Sequence, residues 1–159
     1  MNRQAIKEYT RRVSQASKSE LIVILYEMTL TELRDAKESY AEGDLLGFEK
    51  NLKNGQRYVG ELMSSLDYSY QISLELISLY IFISKNIITS LMKKDTTYID
   101  NAESILKKLL VGFEGVSKAD SSGPVMKNTQ QVYAGLTYGK EELNETFLDP
   151  HNRERGFIA

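Results

Sequence analysis

The sequence predicts an all-α fold: an antiparallel up-down four-helix bundle with a short N-terminal helix and a C-terminal tail. The chain has two prolines, Pro124 and Pro150, so no proline interrupts a helix before position 124. Apolar residues recur three and four positions apart through four consecutive stretches, which is the helical period. The connections between these stretches, near Gly43, Tyr68 and Thr96, are short. Short connections make consecutive helices antiparallel neighbours.

The ends of the helices are predicted from capping residues. Ser17 and Glu20 stand three positions apart, as in a capping box, so the first long helix should open at Ser17. Gly43 should end that helix, because glycine adopts the left-handed conformation of a helix C-terminus at little cost. Asp44 is placed to cap the second helix and Thr97 to cap the fourth.

The third helix, expected from about residue 69 to 94, is apolar over most of its surface. It has two stripes at helical spacing. The main stripe is Ile72, Leu76, Leu79, Tyr80, Ile83, Ile87 and Leu91. The second stripe is Leu74, Ile77, Ile81, Ile88 and Met92. A helix of this kind must be covered. One interpretation makes it the central helix of the bundle, and the other leaves part of its surface as an open groove for a partner.

Two flanks complete the predicted organisation. Residues 1–118 are expected to form the bundle with an N-terminal capping segment, in which residues 2–13 make a short amphipathic helix. Residues 119–159 are expected to be a flexible or loosely packed tail, because the composition changes there to serine, glycine and proline. Within it, the aromatic stretch 133–139 is less typical of a plain linker and could dock on the bundle or on a partner.

Composition argues against most catalytic chemistry. Lys and Arg total 20 against 22 for Asp and Glu, which does not favour binding to nucleic acid. The chain has no cysteine, and its one histidine, His151, is expected to be a solvated tail residue. We therefore predict no enzyme, and no catalytic, cofactor-binding or metal-binding residues. The N-terminus lacks an apolar signal region and polar residues interrupt the third helix, so we expect a cytoplasmic protein without membrane insertion.

Three stretches of the sequence together resemble the flagellin-specific export chaperones, the flagellar protein FliS family. The first, from Ser17 to Glu27, has a capped helix opening followed by Leu-Tyr-Glu. The second is Glu-Leu-Met-Ser-Ser-Leu-Asp at 61–67. The third is Ile-Ser-Leu-Glu-Leu-Ile-Ser-Leu-Tyr-Ile-Phe-Ile at 72–83. Each motif alone is weak, but their order and spacing over about a hundred residues are specific.

The resemblance implies a function. Such chaperones bind the disordered C-terminal segment of flagellin in the cytosol, prevent its premature polymerisation and deliver it to the flagellar export apparatus, where components of the export gate are possible further partners. It also implies that the N-terminal segment lies over the binding surface until flagellin arrives. The alternative from a different class is a regulatory helical adaptor that sequesters another protein.

The predicted partner-binding residues are those where the family motifs coincide with tyrosines, which suit interfaces because they join an apolar ring to a polar tip. The chain has ten tyrosines. Ile6 and Tyr9 are added because they fall on one face of the N-terminal segment. The full set is Ile6, Tyr9, Leu25, Tyr26, Leu66, Tyr70, Leu76 and Tyr80.

Overall fold

The computed structural model describes residues 3–127 of the chain. These residues form five helices and no strand. The helices are α1 (Arg3–Gln15), α2 (Lys18–Ala41), α3 (Leu45–Ser64), α4 (Ile72–Lys93) and α5 (Thr97–Ala119). The all-α prediction is confirmed for this range. His151 and the aromatic stretch 133–139, with the predictions made for them, lie outside it.

The four long helices pack as a ring around one core. Helix α2 packs against α3 and α5, α4 packs against the same two helices, and α1 lies against α2. Each long helix contributes apolar residues to the core at three- and four-residue spacing, because that spacing places them on one side of the helix. The core residues are Tyr26, Leu33, Ala36, Phe48, Leu52, Val59, Leu62, Leu76, Tyr80, Ile83, Ile87, Ile99, Ala102 and Leu106.

The capping predictions hold at both ends of α2. The Ser17 side chain accepts a hydrogen bond from the Glu20 backbone N–H at 3.3 Å, and the Glu20 carboxylate accepts one from the Ser17 N–H at 2.8 Å. Gly43 follows the end of α2 with φ +76°, a left-handed conformation that side chains disfavour. The Asp44 carboxylate then accepts from the Gly47 N–H at 2.9 Å, which satisfies the first turn of α3.

The start of α5 differs from the prediction. Thr97 is the first residue of the helix rather than its cap, and Thr96 before it has helical dihedral angles and makes no side-chain capping bond. The Asp95 carboxylate instead accepts a hydrogen bond from the Thr97 backbone N–H at 2.9 Å, and this bond lowers the pKa of Asp95. A carboxylate two residues upstream thus satisfies this N–H with a charge-assisted bond, which is stronger than a bond to a neutral hydroxyl.

The two stripes of α4 have different surroundings. Along the main stripe, Leu76, Tyr80, Ile83 and Ile87 are buried, whereas Ile72 at its start is exposed. The second stripe is open to solvent at Leu74, Ile81, Ile88 and Met92. Within the described residues, α4 is the one helix long and apolar enough to cross a membrane by length and composition, with a third of its most apolar stretch buried. A core helix passes the same test, and the inner face of α4 is core.

The residues after α5 return to the junction between α1 and α2. Asp120 accepts a hydrogen bond from the Ser19 hydroxyl. The Val125 backbone N–H donates to the Ala16 carbonyl at 3.0 Å. Hydrogen bonds from Ser122 and Ser19 hold the pKa of Asp120 well below its usual range. The first residues beyond α5 are therefore tied to the start of α2. The division of the chain into a bundle at 1–118 and a loose tail at 119–159 stays a prediction, since most of the tail lies outside the described residues.

Candidate functional site

An apolar groove opens where the start of α2 and the end of α5 meet the turn between α3 and α4. We call it the Tyr70 groove. Its lining residues are Lys18, Ile22, Ser65, Leu66, Asp67, Tyr70, Ile72, Ser73, Leu76, Tyr80, Lys108, Leu109, Gly112, Phe113 and Val116. The cavity volume is about 550 Å³, which falls in the range of ligand-binding clefts. Its lining is mainly apolar, so it suits a partner with apolar side chains.

The turn between α3 and α4 shapes the rim of the groove. The Asp67 carboxylate accepts a hydrogen bond from the Ser69 N–H at 2.9 Å, and the Ser73 hydroxyl donates to the Asp67 carbonyl at 2.6 Å. Hydrogen bonding from Ser69 lowers the pKa of Asp67. These bonds fix a compact turn before α4 begins. Tyr70 and Ile72 follow it with most of their side-chain surface in solvent.

Two buried tyrosines lie beneath this rim. The hydroxyl groups of Tyr26 and Tyr80 are 2.5 Å apart, and the Tyr26 ring lies 5.3 Å from the Phe113 ring. Burial raises the pKa of both tyrosines, so both stay neutral at physiological pH. Each hydroxyl has the other as a partner, which is how a polar group is accommodated in a core. The floor of the groove is therefore uncharged.

Helix α5 supplies the wall that the sequence prediction missed. Leu109, Phe113 and Val116 recur at three- and four-residue spacing, which fits core packing, so the sequence alone places them in the seam that packs the bundle. At the end of α5, however, Val116 is exposed and Phe113 is only partly buried. A side chain at Gly112 would meet no atom within 4 Å, so the wall is open beside it.

The charges at the groove are mostly positive. Lys18 from α2 and Lys108 from α5 line it and are both exposed, while Asp67 is the acidic residue among the lining set. Exposed lysines attract acidic groups at modest strength and more weakly in salt. The arrangement therefore favours an apolar segment that carries a carboxylate at its edge.

The predicted partner-binding residues fall into three places. Leu66, Tyr70, Leu76 and Tyr80 line the groove together. Tyr26 lies below it with no exposed surface, and Leu25 is partly buried against the core. Neither of these two lines the groove. Ile6 and Tyr9 are carried by α1 elsewhere on the bundle.

Helix α1 lies on the face of α2 away from the groove. The Tyr9 hydroxyl is 3.2 Å from the Thr31 hydroxyl, and Arg12 forms an ion pair with Glu27. On a helix of 3.6 residues per turn, the groove residue Ile22 and Thr31 point in opposite directions, since nine positions make two and a half turns. The structure therefore does not bring Ile6 and Tyr9 together with the groove residues. Ile6 is about half exposed.

The described part of the chain, residues 3–127, contains no cluster of histidine, cysteine, aspartate and glutamate able to hold a metal ion. The chemistry that the Tyr70 groove offers is burial of apolar surface, flanked by two ammonium groups. Burial of this kind is non-directional and scales with area, so it suits a polypeptide segment.

Comparison with known proteins assigns the chain to a family. Among curated proteins, none matches the chain. The model of the family described as flagellar protein FliS matches residues 1–120, which include every described helix. The match covers three quarters of the chain and agrees with the three motifs of α2, the end of α3 and α4. The chain therefore belongs to the flagellar protein FliS family, the flagellar export chaperones.

Proposed function

We propose that this protein is a cytoplasmic chaperone that binds the disordered C-terminal segment of flagellin, keeps it from polymerising and delivers it to the flagellar export apparatus. The observation that carries the proposal is the Tyr70 groove, because it combines family-motif residues with an open apolar surface. The family match supports the export role. No catalytic role is proposed.

The physical basis is competition for apolar surface. A segment that assembles through an apolar face is driven to do so by burial of that face, worth about 25 cal/mol for each Å² removed from water. A groove that covers the same face removes this driving force. Ordering a disordered segment costs conformational entropy, which lowers the net affinity. A moderate affinity suits a client that has to be released for export.

We also propose that the bundle is antiparallel and up-down. Three contacts support this arrangement, and each joins the late part of one helix to the early part of another. Lys37, late in α2, contacts Asp100, early in α5, at 3.0 Å. The Tyr40 ring, late in α2, lies 5.2 Å from the Phe48 ring, early in α3. Asn101, early in α5, donates to Asn86, late in α4, at 3.3 Å. In this arrangement the end of α3, the start of α4 and the end of α5 meet at one end of the bundle.

The decisive experiment is calorimetric titration with a flagellin C-terminal peptide, using two matched tyrosine variants. Tyr70 and Tyr68 are 63% and 59% exposed, but only Tyr70 lines the groove. We expect Tyr70→Ser to weaken binding about tenfold or more, as for a contact worth about 1.4 kcal/mol. Tyr68→Ser should bind as the unchanged chain does, and circular dichroism should show both variants folded.

Two other outcomes would redirect the proposal. Equal affinities for both variants would place the client elsewhere on the bundle. Failure of the unchanged chain to bind the peptide at all would favour the adaptor function, with a partner other than flagellin.

The N-terminal segment is tested by the same titration. The competitive plug that the family resemblance implies would require α1 to leave its position on α2, where Tyr9 and Arg12 now bind. Under that proposal, deletion of the residues before Ser14 tightens peptide binding, because a site occupied by its own plug binds a client more weakly. Unchanged affinity would leave Ile6 and Tyr9 without a role in the groove. Contact with export gate components is also proposed, without assigned residues.

A further inference from the structure

Among residues 3–127, the outer face of α4 carries a helix-packing seam that no other helix covers. Leu74, Ile81 and Ile88 are seven residues apart and 60%, 56% and 42% exposed. Ser78 and Lys85 lie between them and Met92 follows Ile88, all at three- and four-residue spacing. A repeat of 3.5 residues on a solvent-facing helix is the pattern that packs against a second helix. We call these six residues the α4 seam.

The α4 seam fits an antiparallel copy of itself. When two α4 helices run in opposite directions with apolar positions matched, Leu74 lies opposite Met92 of the second copy, and Ser78 lies opposite its Ile88. Lys85 then lies beside Ile81 of the second copy, where its alkyl stem covers apolar surface while the ammonium group stays in water. The exposed ring of Phe82 comes close to the twofold axis, next to the Phe82 ring of the other copy.

The charges along α4 favour this direction. Glu75 stands near the start of the helix and Lys93 at its end, and both are exposed. Antiparallel pairing places Glu75 of each copy near Lys93 of the other, which gives two opposite-charge pairs. Parallel pairing would instead place Glu75 beside Glu75 and Lys85 beside Lys85. The Lys93 ammonium donates to the Tyr98 hydroxyl at 2.7 Å, and its two other N–H groups are available for a carboxylate.

We propose that the outer face of α4 is a self-association surface, on which a second copy of this chain docks its own α4 in the antiparallel direction. The interface is one helix pair, so it falls among small, transient interfaces and forms at high protein concentration. Self-association covers apolar surface that would otherwise be an aggregation risk. The proposal goes beyond client binding and does not depend on the identity of the client, since the α4 seam lies outside the set of residues that line the Tyr70 groove.

Sedimentation velocity of the full chain over a range of concentrations tests the association. We expect the mean mass to rise from one copy toward two as concentration increases. Ile81→Lys should keep the chain monomeric at concentrations where the unchanged chain associates, because it places a second ammonium group beside Lys85 of the other copy at the centre of the seam. The matched control is Leu46→Lys, at an 81% exposed leucine of α3 outside the seam, which should associate normally. Circular dichroism should show both variants folded.

Charge reversal and cross-linking test the direction. Glu75→Lys alone and Lys93→Glu alone should each weaken association, and the double variant should recover it. The chain has no cysteine, so Phe82→Cys introduces a single thiol close to its own copy. We expect a short bismaleimide reagent to link two Phe82→Cys chains, while Leu46→Cys stays monomeric. A chain that is monomeric at every concentration, or association that Ile81→Lys leaves unchanged, overturns the proposal. Association without recovery in the double variant overturns the antiparallel pairing.

Discussion

The two faces of α4 have nearly the same chemistry and opposite surroundings. On the inner face, Ile83 and Ile87 are fully buried against α3 and α5. On the outer face, Ile81 and Ile88 are exposed although they differ from the inner pair only in position along the helix. In the ring of four helices, each helix buries the face that points to the core, and the opposite face of α4 stays exposed. The hydropathy of α4 therefore indicates how much apolar surface the helix carries. Only the packing of the bundle shows which part of that surface stays exposed to a partner.

The largest effect on the free energy of unfolding should come from a substitution on the inner face of α4. Ile83→Ala removes buried carbon atoms and leaves a cavity, so we expect a loss of about 2–5 kcal/mol in the free energy of unfolding. Urea denaturation followed by circular dichroism measures it. Ile83→Val is the graded control and should cost about 0.5–1.5 kcal/mol. A loss for Ile83→Ala no larger than for Ile83→Val would mean that the site collapses around the deletion.

A smaller effect is expected at the tyrosine pair. Tyr26→Phe removes one hydroxyl and leaves that of Tyr80 buried without its partner, which should cost about 1–3 kcal/mol. The double variant Tyr26→Phe with Tyr80→Phe removes both and should cost less than the sum of the two single changes. Thermal unfolding of the four forms completes the cycle. Strict additivity would show that the two hydroxyls do not depend on each other.

The same pair should make the inner face sensitive to alkali. Burial raises the pKa of Tyr26 and Tyr80 in the folded chain, whereas tyrosine in the unfolded chain ionises near pH 10. As pH rises through about 10, the unfolded state loses protons that the folded state retains, so stability falls. Unfolding midpoints across this range should drop for the unchanged chain and drop less for the Tyr26→Phe, Tyr80→Phe double variant. Equal pH dependence of the unchanged chain and the double variant would mean that other groups cause the loss of stability.

The smallest effect on the free energy of unfolding should come from a substitution on the outer face of α4. Ile88→Ala changes an exposed side chain of the α4 seam, so we expect the free energy of unfolding of the monomer to move by less than about 0.5 kcal/mol. Dilute protein is required, so that self-association does not contribute. A loss approaching that of Ile83→Ala would show that the outer face is covered within one chain.

Much of this fold follows from local sequence. The Ser17–Glu20 capping box, the left-handed Gly43 and the Asp44 cap are each formed by neighbouring residues, so their spacing was enough to predict them. The cap of α5 was misassigned because Asp95 reaches the first N–H from outside the helix, a contact that depends on the path of the turn. Prediction therefore worked best where the partners are close in sequence.

The candidate site shows the same limit. Leu66, Tyr70, Leu76 and Tyr80 belong to two consecutive motifs and were predicted together. Phe113 and Val116 join them from α5, more than thirty residues later, and their spacing alone could not separate a core position from a groove wall. The position of α1 depends on Thr31 and Glu27, which carry no signal in the sequence that marks them as its contacts.

The attachment of α1 has a mechanical consequence. Among its residues only Ser14 is buried, while the junction that follows is held by the hydrogen bond from Val125 to Ala16. The helix can therefore open locally, at a free energy below that of global unfolding, while the four-helix core stays closed. It would turn about a fixed pivot at its C-terminal end. With thirteen residues at 1.5 Å each, its N-terminal end would then sweep an arc of about 20 Å radius.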